Sequence, residues 1–150
     1  MHRQKLKFLV KIKYLAFLFI IFSIPAYSDV TQESYCFSPV KNRPARIELR
    51  TYFDEDAGWQ GAFVKYENSK ETIPLVFVDS IEDQTQNGNP ADRTTKWVEV
   101  VHGLITGEYE MENKGGNVGS LTYKNYKSQK SFGFVFDMGA QRTHGLGCDW

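Results

Sequence analysis

The 150-residue sequence has little that would support a helical or a repetitive fold. After residue 28, no window of about 11 residues carries apolar residues convincingly at the i, i+3, i+4 and i+7 positions of an amphipathic helix. There is also no internal repeat and no low-complexity tract. These absences argue against a helical domain and against a repeat architecture.

Catalytic and metal-binding signatures are also scarce. The chain has no G-x-S-x-G sequence, and after residue 28 it has only two histidines, His102 and His144. Neither cysteine has a second cysteine or a histidine pattern at the spacing of a zinc site. His102 stands in Val101-His102-Gly103, between two strand-like runs, where a turn is the simpler interpretation. We therefore expect a protein that is not an enzyme and has no metal or cofactor, with a hydrolase that uses His102 as an alternative.

The chain has only two cysteines, Cys36 and Cys148, near the two ends of the polypeptide that follows residue 28. An even cysteine count in an exported protein indicates a disulfide, and two cysteines allow a single intramolecular pairing. Two free thiols or an intermolecular bridge are the alternatives.

The N-terminal residues have the three parts of a secretory signal peptide. Five basic residues and no acidic ones precede an apolar run over Tyr14–Ile24, and the small residues Ala26 and Ser28 follow it. The run is about half of the roughly twenty residues that a membrane-spanning helix needs. We expect cleavage after Ser28, a mature domain over residues 29–150, a periplasmic or secreted location, and no stable membrane anchor.

Removal of this segment changes the charge balance. The full chain has 18 basic and 18 acidic residues, and residues 1–28 contain five of the basic and none of the acidic ones, so residues 29–150 carry a net charge of −5. Nucleic acids and anionic membranes favour positive surfaces, so neither is expected as a partner. A cationic protein is compatible with this charge.

Short alternating or apolar runs separated by Gly, Asn, Asp and Pro clusters predict strands. There are about eight such runs, at 33–38, 46–53, 60–66, 72–78, 96–101, 104–112, 118–124 and 131–137. Lys114-Gly115-Gly116-Asn117 is typical of a hairpin turn. The pattern predicts an all-β, single-domain antiparallel barrel or sandwich, closed by one disulfide.

Two runs depart from simple alternation. Residues 72–78 are almost entirely apolar, which predicts a strand covered on both faces. Residues 79–95 form a long polar stretch that we expect to be a loop, and long loops often carry function. These residues also suggest where a partner or a ligand could bind.

Acidic residues provide the candidate partner-binding site. Glu108, Glu110 and Glu112 share one face of a predicted strand, for which a solvated sheet face is the simpler interpretation. The functional interpretation is an anionic strip that binds a basic protein, because complementary charge speeds association and selects partners. The residues predicted to bind the partner are Glu108, Glu110, Glu82, Asp83 and Trp97, with Trp97 as an aromatic anchor.

Tyr35-Cys36, the strand over Arg46–Phe53 and the C-terminal Cys148 resemble the periplasmic inhibitors of C-type lysozyme. Thr106-Gly107-Glu108-Tyr109 is the nearest match to that family's S-G-x-x-Y motif, whose serine enters the lysozyme cleft. In outline the chain is also similar to exported immunity proteins that neutralise toxins delivered by rival bacteria. Both resemblances imply a non-enzymatic inhibitor of a toxin or cell-wall hydrolase. The alternative is a carrier with a small molecule or lipid in the barrel mouth, near the long loop.

Overall fold

The computed structural model describes residues 29–41, 45–83 and 90–150. The predicted export signal lies outside the described residues. Within them the chain is all-β, and no helix could cross a membrane. The eight strands are β1 (Val30–Pro39), β2 (Ile47–Asp54), β3 (Trp59–Tyr66), β4 (Ile73–Glu82), β5 (Arg93–Val101), β6 (Leu104–Lys114), β7 (Asn117–Asn125) and β8 (Ser131–Phe136).

The strands form a closed barrel in which each strand pairs with its sequence neighbours. All pairs are antiparallel, and the barrel closes where β1 pairs with β8 over Phe37–Phe136, Ser38–Val135 and Pro39–Phe134. The structure confirms the predicted all-β class and selects the barrel over the sandwich. Closure pairs strands that are first and last in the sequence, so it depends on contacts that local hairpin signals do not reveal.

The core consists of the side chains that alternate strands point into the barrel. Aliphatic and aromatic side chains fill it, and the buried members are Phe37, Ile47, Leu49, Ala62, Val64, Leu75, Trp97, Tyr109, Met111, Leu121, Tyr123 and Phe134. On β2, β3 and β8, the residues that point inward are those that the sequence alternation placed on one apolar face. An eight-stranded barrel is just wide enough for side chains to fill its interior.

The connections divide the barrel into two ends. The upper end has the start of β1, the β2–β3 turn, the β4–β5 loop and the β6–β7 turn, and the lower end has the other hairpin turns. The predicted turn at Gly115-Gly116 is confirmed, because Lys114 pairs with Asn117. Both glycines have positive φ angles, 57° and 79°, as a two-residue hairpin turn requires.

Two expectations for the middle of the chain are wrong. The loop predicted for residues 79–95 is shorter than expected. Asp79–Glu82 belong to the end of β4 and pair with Arg93–Lys96 at the start of β5. Most of these residues are exposed at the barrel rim, where polar side chains meet water. The apolar strand β4 is also not covered on both faces, because Val76 and Val78 are about half exposed.

The C-terminal tail lies against the outside of the barrel beside β1. Where β8 ends, the Asp137 backbone N–H donates to the Cys36 carbonyl at 2.8 Å, and the Gln141 side-chain amide donates to the Ser34 carbonyl at 2.8 Å. The predicted Cys36–Cys148 disulfide is present and closes a sequence separation of 112 residues. The tail therefore supplies hydrogen-bond donors to backbone carbonyls of β1 that do not pair with β8.

Candidate functional site

An exposed apolar surface lies on the outside of β3, β4, β5 and β6. We call it the outer apolar face, and it consists of Trp59, Gly61, Phe63, Pro74, Val76, Val78, Val98, Val100 and Ile105. The strand register makes these residues neighbours, because Gly61 pairs with Val76 and Val76 pairs with Val98. Val100 in turn pairs with Ile105. The face is therefore one continuous patch and not a scatter of single residues.

Exposure distinguishes this patch from an ordinary sheet surface. Trp59 is 55% exposed, Val76 is 53% exposed and Ile105 is 57% exposed. Outward positions of an antiparallel barrel normally carry polar side chains, because that face meets water. A contiguous exposed apolar patch bordered by polar residues is typical of a binding surface.

Trp59 is the largest side chain of the outer apolar face, and its ring lies on Gly61. A Cβ added to Gly61 would meet the indole ring at 2.7 Å. The absence of a side chain at Gly61 therefore lets the ring lie flat along β3 while one side stays open to solvent. Tryptophan is strongly enriched among the residues that dominate binding energy at protein interfaces.

The predicted acidic strip borders this face, and each of its members has an intramolecular partner. Glu108 pairs in register with Val98 and accepts a hydrogen bond from the Tyr126 hydroxyl at 2.9 Å. Glu110 forms a salt bridge with Lys96 at 3.0 Å, and this contact raises the pKa of the lysine. Glu112 accepts from the Ser120 hydroxyl at 3.2 Å. The three carboxylates thus lie on the outside of β6, as the alternation predicted.

The other predicted partner-binding acids lie at the upper rim. Glu82 forms a salt bridge with Arg93, directly across the β4–β5 hairpin. The Asp83 backbone N–H donates to the Asp92 carbonyl at 2.9 Å, which closes the base of the loop over residues 83–92. In the strand register Glu82 lies level with Asn113 of β6, three residues beyond Glu110 and five beyond Glu108, so these acids do not form one cluster.

Trp97 does not lie with the predicted acidic residues on the surface. It is 2% exposed and belongs to the core, because it points into the barrel opposite Tyr109. In this position the indole is inaccessible to a protein that contacts the outside of the barrel. The exposed tryptophan of the outer apolar face is Trp59 on β3, which the sequence reasoning did not select; β4 and β5 lie between it and the acids of β6.

Of the two buried glutamates of the described chain, Glu48 lies beneath the C-terminal tail, and Glu99 points into the barrel near the lower end. Its carboxylate accepts hydrogen bonds from the hydroxyls of Thr106, Tyr109 at 3.2 Å and Tyr123 at 3.1 Å. Tyr66 contacts the Tyr109 hydroxyl at 2.9 Å. A buried carboxylate needs such partners, so this network closes the lower end of the barrel.

Burial changes the acid–base chemistry of these tyrosines. Desolvation raises the pKa of Tyr123 to about 12. It also raises the pKa values of Tyr66 and Tyr109 above the usual value, and in Tyr109 the neighbouring Tyr66 adds to this effect. All three hydroxyls therefore stay protonated, and can donate hydrogen bonds, over the physiological pH range.

The Thr106-Gly107-Glu108-Tyr109 segment is part of this architecture. The Thr106 hydroxyl donates to buried Glu99 at 2.5 Å, and the Tyr109 ring stacks on Tyr123 inside the barrel. In the lysozyme inhibitors the corresponding serine enters a cleft of the partner. Here the threonine hydroxyl donates to Glu99 inside the molecule, so it does not project from the surface toward a partner.

His102 is exposed and forms the β5–β6 turn with Gly103. Its φ angle of 50° is the left-handed conformation that a two-residue hairpin turn requires. Within residues 29–41, 45–83 and 90–150, no side-chain hydrogen bond joins it to a nucleophile or an acid. The same residues contain no group of three or more His, Cys, Asp or Glu side chains that could hold a metal ion.

A groove of about 390 Å³ lies between the C-terminal tail and β2–β3. Arg50, Lys65, Arg142 and Trp150 line it. Two of its cations are already paired, Arg50 with Glu48 and Arg142 with Asp149. The groove therefore offers little uncompensated charge to an anion.

The described chain is thus an eight-stranded, up-and-down β-barrel with a disulfide-anchored tail and an exposed apolar face. Comparison with protein-family models, with curated proteins and with solved structures found no match to this chain.

Proposed function

We propose that this protein binds another exported protein through the outer apolar face and thereby inhibits it. The observation that carries the proposal is the continuous exposed patch around Trp59 and Val76, on strands that belong to a closed barrel. A rigid scaffold that presents an aromatic anchor within an apolar patch is well suited to bind a partner without reorganisation.

The charges around this face favour a basic partner. Exposed Glu55 and Asp56 lie in the turn that precedes Trp59, and Asp79 and Glu108 border the valines. The cations of this border are themselves paired, Lys96 with Glu110 and Arg50 with Glu48. A second copy of the chain would bring acidic borders together, which costs free energy. A protein with basic residues around an apolar centre would instead gain both the apolar contact and charge complementarity.

The compartment of the proposed partner follows from the export signal predicted for residues 1–28 and from the disulfide. A disulfide between Cys36 and Cys148 is expected to persist in an oxidising compartment such as the periplasm. Enzymes that act there include cell-wall hydrolases and toxins delivered by other cells. We therefore propose that this protein inhibits an enzyme of this kind, in the way that lysozyme inhibitors and immunity proteins inhibit theirs.

Matched charge substitutions test the proposed surface. Val76→Glu places a carboxylate in the centre of the outer apolar face, whereas Val135→Glu places one on β8, across the barrel, at a similarly exposed valine. We expect the unmodified protein and Val135→Glu to retain one stoichiometric basic protein from a periplasmic extract. Val76→Glu should lose it, and Trp59→Ala should weaken binding by about thirtyfold, the effect of removing about 2 kcal/mol.

Function is tested by enzyme assays of the captured protein and of a C-type lysozyme. Inhibition by the unmodified protein and by Val135→Glu, but not by Val76→Glu, is the expected result. Complex formation should weaken at high salt because the charged border is screened. Equal binding by both glutamate variants would overturn the proposed surface, and binding without any loss of the partner's activity would overturn inhibition.

A further inference from the structure

The upper mouth of the barrel is a second candidate site, separate from the outer apolar face. Inward-facing side chains of β1 to β6 enclose a cavity of about 300 Å³ there. This volume lies at the lower end of the range for small-molecule sites. The core residues that fill the barrel below it, such as Leu49 and Leu121, close its floor.

Two residues that line this cavity each have a buried polar atom without a hydrogen-bond partner in the described chain. These atoms are Nε1 of Trp97 and Oδ1 of Asn113, and the third such atom of the described residues, Oε1 of Gln141, lies in the C-terminal tail. Buried polar groups in folded proteins are almost always satisfied, so such a donor and acceptor need an explanation. At the lower end of the same barrel, the Glu99 carboxylate receives three hydrogen bonds. The contrast points to a ligand at the upper end.

The strand register gives the arrangement of these two atoms along the barrel. Arg93 pairs with Asn113, and Trp97 pairs with Tyr109, so Asn113 belongs to the rim and Trp97 lies four residues deeper. Between them, Thr95 pairs with Met111 and both line the cavity. The Thr95 hydroxyl is itself paired with that of Ser80 at 3.2 Å. A donor therefore belongs to the inner end and an acceptor to the outer end.

We propose that this mouth binds a small, elongated amphipathic molecule. Its inner end carries a hydrogen-bond acceptor for Trp97, its middle is apolar and contacts Met111, and its outer end carries an O–H or N–H donor for Asn113. The rim charges of Glu33 and Arg93 are each engaged with a neighbour, Tyr35 and Glu82 respectively. The outer end of the ligand is accordingly uncharged.

The test uses 8-hydroxyoctanoic acid and its methyl ester as probes, with octane-1,8-diol and octane as matched compounds that change or remove the polar ends. The observable is the indole N–H resonance of Trp97 in a ¹H–¹⁵N spectrum of the oxidised mature protein. We expect this resonance to shift on titration with the hydroxy ester or acid, while those of exposed Trp59 and Trp150 stay in place. Octane should bind about tenfold more weakly, because it can make neither hydrogen bond.

Variants distinguish a ligand site from a packing role. Trp97→Phe keeps an aromatic ring but removes the donor, and we expect about tenfold weaker probe binding with an unchanged or higher melting temperature. Trp150→Phe, outside the mouth, is the control and should leave probe binding unchanged. Native mass spectrometry of freshly purified protein should also show a retained small mass.

Two results would overturn the site. One is a Trp97 indole N–H resonance that no probe shifts, because the indole N–H then contacts only water. The other is destabilisation by Trp97→Phe with no effect on probe binding, which would mean that the indole N–H is satisfied within the protein. Because Val76 is not in the mouth, Val76→Glu should not change probe binding, so this site can fail or succeed independently of the partner-binding face.

Discussion

The indole ring of Trp59 occupies the space that a side chain at Gly61 would need, two residues further along the same strand. This contact holds the ring against the sheet while it remains more than half exposed. A residue that is both ordered and exposed loses little conformational entropy when a partner covers it. The pair therefore preorganises Trp59 for the proposed binding.

Gly61→Ala is expected to displace the Trp59 ring into solvent. The added Cβ would meet the end of a side chain and not backbone, so the free energy of unfolding should change by less than about 1 kcal/mol. In a chain with Trp97→Phe and Trp150→Phe, the remaining Trp59 fluorescence should shift to the red. Gly139→Ala, where a Cβ would only touch Asp137 at 3.4 Å, is the control. An unchanged spectrum in Gly61→Ala would contradict the packing described.

Replacement of Cys36 and Cys148 by serine should lower the free energy of unfolding by about 4 to 5 kcal/mol, the chain-entropy contribution of a cross-link that closes over a hundred residues. Urea denaturation measures this difference. Reducing agent should destabilise the unmodified protein and leave the double serine variant unaffected. Equal stability of the oxidised protein and the serine variant would show that tail contacts alone hold the termini.

Glu99→Ala should destabilise the barrel by about 2 to 4 kcal/mol, because the hydroxyls of Tyr109 and Tyr123 lose their acceptor in the interior. Glu99→Gln keeps an acceptor and should cost less. Glu112→Ala is the surface control, since its single hydrogen bond to Ser120 is partly exposed, and it should change stability by less than about 1 kcal/mol. A smaller effect at Glu99 than at Glu112 would contradict the buried network.

Stability should fall at alkaline pH. Burial raises the pKa of Tyr123 to about 12, whereas an unfolded tyrosine ionises near pH ~10. Because the folded pKa is the higher one, this contribution is fully present below about pH 10 and is lost as the pH rises toward 12. The unfolding free energy should decrease by up to about 1.4 kcal/mol per pH unit for each such tyrosine. Denaturation curves at stepped pH, with Tyr123→Phe for comparison, measure this slope, and a flat profile would refute it.

Local signals were enough for three predictions: alternation gave the number of strands, the residue types gave the Gly115-Gly116 turn, and the two cysteines gave the disulfide. They were not enough to identify the surface aromatic. Trp97 alternates with Thr95 and Glu99, and a glutamate on the same face suggests solvent. Glu99 can be buried because the hydroxyls of Tyr109 on β6 and Tyr123 on β7 donate to it, and Tyr66 on β3 contacts the Tyr109 hydroxyl. These contacts join several strands, so a local pattern does not reveal the network. Both faces of β3 are apolar, so alternation could not show that Trp59 points outward.

The polar ends of β4 and β5 show the same limit. Asp79–Glu82 and Arg93–Lys96 have a loop-like composition, yet they form a regular ladder. Strand pairing there satisfies the backbone, and most of the side chains meet water, although Thr95 is buried. Polarity therefore indicated solvent exposure for most of these residues but did not indicate backbone conformation.

The position of the tail gives the disulfide a role in solubility as well as in stability. The seam between β1 and β8 contains only three residue pairs, and the tail occupies the neighbouring carbonyls of Ser34 and Cys36. In a reduced chain whose tail has detached, these carbonyls would form a free sheet edge, which is a template for strand exchange and aggregation. Prompt formation of the disulfide would therefore protect newly folded molecules from one another.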